Sequence, residues 1–85
     1  MDKILLEVFC VSTSKRYDFW VSKKMEIKKV KEKLIEQVES FEDNQNIFQN
    51  PEEIFMFRKE DNSLLEESLT IEQASVKSGD QIVLI

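Results

Sequence analysis

One stretch of this chain carries a helical repeat. Apolar residues stand at positions 27, 30, 34, 38 and 41, with Ile35 flanking the stripe. Spacings of three and four predict an amphipathic helix from about Glu26 to about Ser40. The stripe itself, Ile27, Val30, Leu34, Val38 and Phe41, is read as core. One helix has no helical neighbour to pack on, so the rest of the 85 residues must supply a sheet against it. A chain of this size buries roughly 60–65% of its unfolded surface, enough for one core and not two.

The flanking segments alternate with period two. Residues 3–11 (KILLEVFCV) predict a strand with Ile4, Leu6, Val8 and Cys10 on one face. Leu5, Glu7, Phe9 and Val11 take the other face, and Glu7 marks it as outer. A polar turn at Ser12–Lys15 leads to residues 16–21, with Tyr17, Phe19 and Val21 inward and Arg16, Asp18 and Trp20 outward. After the helix, a polar loop (Asn44-Gln45-Asn46 to Gln49-Asn50, around Ile47-Phe48) closes at Pro51. Residues 53–58 (EIFMFR) predict a third strand, Phe55 and Phe57 inward, Ile54, Met56 and Arg58 outward. Turn chemistry at Asp61-Asn62-Ser63 precedes a very short strand at Leu64-Leu65. A single helical turn is expected at Thr70–Ala74. The last strand is Gln81–Ile85, with Ile82 and Leu84 in and Val83 and Ile85 out. The fold class is α+β, a mixed sheet packed against one main α-helix.

Residue usage removes most enzymes. The chain has no histidine, one cysteine (Cys10) and one glycine (Gly79). Triads, Cys-His pairs, zinc sites and glycine-rich phosphate loops are therefore excluded, and neither cofactor nor metal is expected. Cys10 is read as a small core residue. Net charge is −5, which argues against nucleic acid as a partner. Its distribution is uneven: residues 23–33 hold six lysines against two glutamates, a local +4, leaving −9 elsewhere. The acidic pairs lack the spacing of a calcium loop. The longest unbroken apolar runs, such as Ile54-Phe55-Met56-Phe57, are far short of a membrane span, and no signal peptide is read, so a cytoplasmic location is expected.

Element order and residues together resemble ubiquitin and its relatives, the β-grasp fold, over nearly the whole chain as a single ubiquitin-like domain, 1–85. Val21 to Leu34 follows ubiquitin's strand-to-helix segment without a gap, including its Ile-x-x-Val-x-x-x-Ile/Leu stripe. Ile71 to Leu84 (IEQASVKSGDQIVL) follows the stretch into the final strand. Ubiquitin and the sulfur carriers end in a mobile Gly-Gly tail that is activated by adenylation. This sequence stops at Ile85, so neither conjugation nor sulfur transfer is expected. A chain of this length closing on Val-Lys-Ser-Gly-Asp-Gln-Ile resembles the YukD-like proteins that accompany bacterial type VII (WXG-protein) secretion systems. The resemblance implies a non-enzymatic accessory role, a protein partner such as a component of the secretion apparatus, and no catalytic residue.

With that strand order, Leu5, Phe9 and Val11 lie beside Val83 and Ile85, near Met56 and Arg58. These seven residues are the candidate protein-binding surface, because a contiguous exposed apolar patch marks a contact. Trp20, on the outer face of an edge strand, is either an anchor for a partner or packed against Arg16 or a neighbouring loop. A monomer or weak homodimer is expected. The alternative is a β-grasp module binding an acidic protein or nucleic acid through the Lys-rich segment 23–33.

Overall fold

The computed structural model describes residues 2–44 and 46–85, so Gln45 of the polar loop lies outside the described residues. Strands β1 (Lys3–Cys10) and β2 (Lys15–Ser22) form an antiparallel hairpin that pairs Cys10 with Lys15 and Lys3 with Ser22. Helix α1 (Ile27–Phe41) crosses one face of the sheet. A short 3-10 turn at Pro51–Glu53 precedes β3 (Met56–Arg58), β4 (Ser63–Leu64) and β5 (Gln81–Leu84). The five strands lie in the order β2-β1-β5-β3-β4. Only the β1–β5 pair is parallel, so the sheet is mixed, as the sequence predicts.

The core lies between α1 and the inner sheet face. Leu6, Val8 and Cys10 of β1, Phe19 and Val21 of β2, and Ile82 and Leu84 of β5 meet Ile27, Val30, Leu34, Ile35 and Val38 of the helix. Period two in the strands and the three-four stripe in the helix deliver these residues to one volume. Phe48, Leu65, Ile71 and Val76 seal it from the connecting segments.

The helix start has no cap of its own. Glu26 makes no side-chain capping bond, and the first turn carries no acid. Its free N–H groups are met from elsewhere: Ile27 donates to Leu69 O at 2.8 Å and Lys28 to Glu67 O at 3.2 Å. The segment after them is braced by a reciprocal capping pair, Thr70 N–H to Gln73 Oε1 and Gln73 N–H to Thr70 Oγ1, both 3.0 Å. Ala74 N–H then donates to Thr70 O at 2.9 Å, closing the helical turn expected there. Gly79 enters β5 at φ +89°, a conformation that disfavours any side chain, and its N–H reaches Leu5 O at 2.7 Å.

Three expectations are corrected. First, the strand expected over 53–58 is extended only over Met56–Arg58, and its faces are reversed. The register sets Met56 opposite Leu84 and Phe57 opposite Val83, so Met56 is buried at 2% exposure and Phe57 lies on the outer face. Arg58 shares the Met56 side. It avoids burying its charge by reaching past the end of the sheet to donate to Ala74 O and Ser75 O, both at 3.0 Å. Phe55 is exposed. Second, Phe41 is not core. It is 66% exposed, because the stripe runs past the sheet, and its ring stacks on Tyr17 at 6.0 Å. Third, Lys31 of the Lys-rich segment 23–33 is not open to a partner. It is 5% exposed, its Nζ 2.8 Å from Glu67 Oε1 and 3.1 Å from Ile54 O. One ammonium thus ties α1 to the two segments that close the core beside it.

Lys31→Ala is expected to cost about 2 kcal/mol of stability, since it strips the part-buried Ile54 carbonyl of its donor and removes a packed stem. Lys29→Ala, on a lysine paired with an exposed Glu32 at 3.6 Å, is expected to cost less than about 0.5 kcal/mol. Urea unfolding of the two variants checks the contrast.

Candidate protein-interaction surface

The outer sheet face follows from the strand registers. Phe9 lies opposite Arg16 on β2 and opposite Val83 on β5; Val83 lies opposite Phe57 on β3, and Phe57 opposite Leu64 on β4. One row, Arg16-Phe9-Val83-Phe57-Leu64, therefore crosses all five strands, apolar in every position but the first. Beside it stands a second apolar group. Phe55 and Ile85 exchange backbone bonds at 2.6 and 2.9 Å, and Val11 N–H donates to Leu84 O at 3.0 Å. Val11, Phe55, Leu64 and Ile85 are exposed, while Phe9, Phe57 and Val83 are half-buried by their neighbours. On the other side the row borders Asp18, Glu7 and Gln81, with Lys59 following through its N–H bond to Gln81 O at 2.9 Å. A shallow depression of about 270 Å³ lies at this border, walled by Arg16 and Lys59 and floored by Phe9 and Val83.

Of the seven residues singled out from sequence, Phe9, Val11, Val83 and Ile85 come together. Leu5 is on the same face, but the Glu7 row separates it from Phe9 and it pairs with Trp20 instead. Met56 and Arg58 drop out, for the reasons given above. Phe55, Phe57 and Leu64 take their place. Their signal is present in the alternation of 55–58, but the charge of Arg58 points to the wrong side as the solvent face. The short turn at 61–63 was the better marker: it closes β3 on β4 with Phe57 opposite Leu64, and Leu65 then turns inward.

Three of the six lysines of the basic segment do not face a basic surface. Lys31 is buried in an ion pair, and the cleft beside Lys28 and Lys29 is also lined by Glu26, Glu32, Glu36, Glu39, Glu52 and Glu67. Clustered in sequence, Lys28, Lys29 and Lys31 are interleaved with carboxylates in space. Among the described residues, no group of three or more His, Cys, Asp or Glu side chains is placed to hold a metal ion. No helix among them is long and apolar enough to cross a membrane.

Met56→Ala is expected to destabilise by about 3 kcal/mol, the cost of a cavity in a packed core. Phe57→Ala on the outer face costs about 1 kcal/mol or less. Thermal or urea unfolding separates them, and the opposite ranking would reverse the strand.

No family model matches the chain, and no curated protein matches it. Solved structures do. A ubiquitin-like domain of an Arabidopsis thaliana protein aligns with a TM-score of 0.75 at 15% identity, covering 100% of this chain and 78% of its own. The ubiquitin-like domain of Plasmodium falciparum Dsk2 gives 0.73 at 15% identity, covering 96% of this chain and 95% of its own. Caldiarchaeum subterraneum ubiquitin gives 0.70 at 19% identity, covering 98% and 91%. Identities this low speak to architecture alone, and the architecture they share with this chain is the ubiquitin-like β-grasp fold.

Proposed function

We propose that this chain is a single-domain, non-enzymatic ubiquitin-like adaptor that works by protein–protein contact through its outer sheet face. The observation that carries the reading is the apolar row Phe9-Val83-Phe57-Leu64, widened by Val11, Ile85 and Phe55. A half-exposed apolar band crossing the sheet, with Arg16 at one end and a polar border along one side, is the make-up of a docking surface. The resemblance of the close Val76-Lys77-Ser78-Gly79-Asp80-Gln81-Ile82 to that of the YukD-like proteins supports a cytoplasmic place beside a bacterial type VII secretion apparatus, with one of its components as partner. The mixed charge around Lys28 and Lys29 favours the sheet face over the 23–33 segment.

Affinity capture from the native organism's lysate tests both parts. Wild type is expected to retain secretion-apparatus components, and a Phe9→Asp/Val83→Asp variant with a native circular-dichroism spectrum is expected to lose them. Retention by the variant would rule out the sheet face. A bound set free of secretion components would end the secretion assignment. RNA or acidic proteins held only at low salt would move the site to the lysines.

A further inference from the structure

Strand β2 forms one border of the sheet and leaves a full edge open. Lys23 N–H bonds Asp2 O at 2.7 Å, and the register continues from that pair through Ile4/Val21, Leu6/Phe19, Val8/Tyr17 and Cys10/Lys15. Antiparallel ladders alternate bonded with non-bonded pairs, so the odd-numbered residues of β2 spend their backbone groups on β1. Arg16, Asp18, Trp20 and Ser22 turn theirs outward. The other side of β1 agrees: Leu5, Glu7 and Val11 bond across to Gly79, Asp80 and Leu84. The Ser22 carbonyl already accepts from Met25 N–H at 3.1 Å. What stays open is the N–H and C=O of Arg16, Asp18 and Trp20, together with the Ser22 N–H.

Each face of this edge carries one exposed aromatic ring. Trp20, 67% exposed, stands on the outer side, and Phe41, 66% exposed, stacks on Tyr17 on the inner side. They are the two most exposed large hydrophobic residues among those described. Strands guarded against pairing carry a proline, a bulge, an inward charge or a row of edge charges; of these β2 has outward only Arg16 and Asp18, of opposite sign. β2 has an unbroken eight-residue register with Tyr17, Phe19 and Val21 inward, and Lys15 is already bound to Glu42 at 2.6 Å.

We infer that β2 pairs antiparallel with β2 of a second copy, about a two-fold axis at Phe19, joining two sheets into one of ten strands. The axis position follows from charge and backbone. An axis at Asp18 would oppose that carboxylate to itself, and one at Trp20 would oppose Arg16 to Lys24. An axis at Tyr17 would run Trp20 against Ser14, whose φ of +56° has left the extended region. At Phe19 the facing pairs are Arg16 with Ser22, Tyr17 with Val21, and Asp18 with Trp20, and the whole strand is used. Lys15 and Lys23 meet only at the two ends. One strand pair with its flanking aromatics is at or below the low end of specific interfaces, about 1,200 Å². The dimer therefore forms in the micromolar range and above. It leaves the Phe9-Val83-Phe57-Leu64 row uncovered and stands apart from the adaptor reading.

Sedimentation equilibrium of the full chain, from micromolar to about 1 mM, tests it. The mass of the wild type is expected to climb from 10.1 kDa toward twice that value. Asp18→Pro removes an N–H that the protomer does not use, and should stay monomeric with a native circular-dichroism spectrum; Trp20→Glu should do the same. Phe9→Asp/Val83→Asp should still dimerise. Asp18→Cys/Trp20→Cys should oxidise to a covalent dimer, because the two positions face each other across the axis. A wild type that is monomeric at about 1 mM overturns the inference. So does a dimer that survives Trp20→Glu, or one abolished by the Phe9→Asp/Val83→Asp change. Should Asp18→Pro fail to fold, Trp20→Glu and the crosslink decide.

Discussion

The parallel pairing of β1 with β5 joins residues 7–10 to residues 81–84 at the middle of the sheet, and everything on either face depends on it. It is the pair that sets Leu6, Val8 and Cys10 beside Ile82 and Leu84 under the helix. On the reverse side it sets Phe9 beside Val83, from which the apolar row extends to β3 and β4. Parallel neighbours need a long crossover, here the helix and the segments after it, so the contact most central to the structure joins residues most distant in the chain. The turn at Ser78–Asp80 locks it, with Leu5 N–H to Ser78 Oγ at 3.1 Å and Gly79 N–H to Leu5 O at 2.7 Å.

The helix is held by its surroundings more than by its own sequence. Lysines in the first turn oppose the macrodipole, and no acid is there to offset them. The 67–69 carbonyls take the place of a cap, and the Thr70–Gln73 pair keeps that segment in position. Lys31 adds a second tie through Glu67 and Ile54. An isolated peptide of this segment would be a poor helix, because the groups that stabilise it arrive only when the chain closes.

Much of this was legible in residue order. The two long strands, the helix and β5 repeat their apolar residues with a period that admits one reading, and their burial follows it. β3 departs from its expected faces because three residues are too few to establish a face, and because a long cationic side chain need not point where its Cα does. Arg58 leaves from the buried side and still brings its guanidinium to backbone oxygens at the rim. Phe41 continues the stripe in sequence but lies past the sheet that would have covered it. Lys31 stands next to Val30, and its burial depends on two segments remote in sequence. At the candidate surface, the β1 and β5 residues could be placed from alternation; the β3 and β4 residues needed the register.

Cys10, with no measurable exposure, lies on β1 opposite Leu84, at the strand pair that holds the fold together. Its thiol is therefore a native reporter of opening. A thiol-modifying reagent reaches it only when the first and last strands separate or the helix lifts, so the rate of its alkylation measures the free energy of the deepest fluctuation of the domain, with no label added.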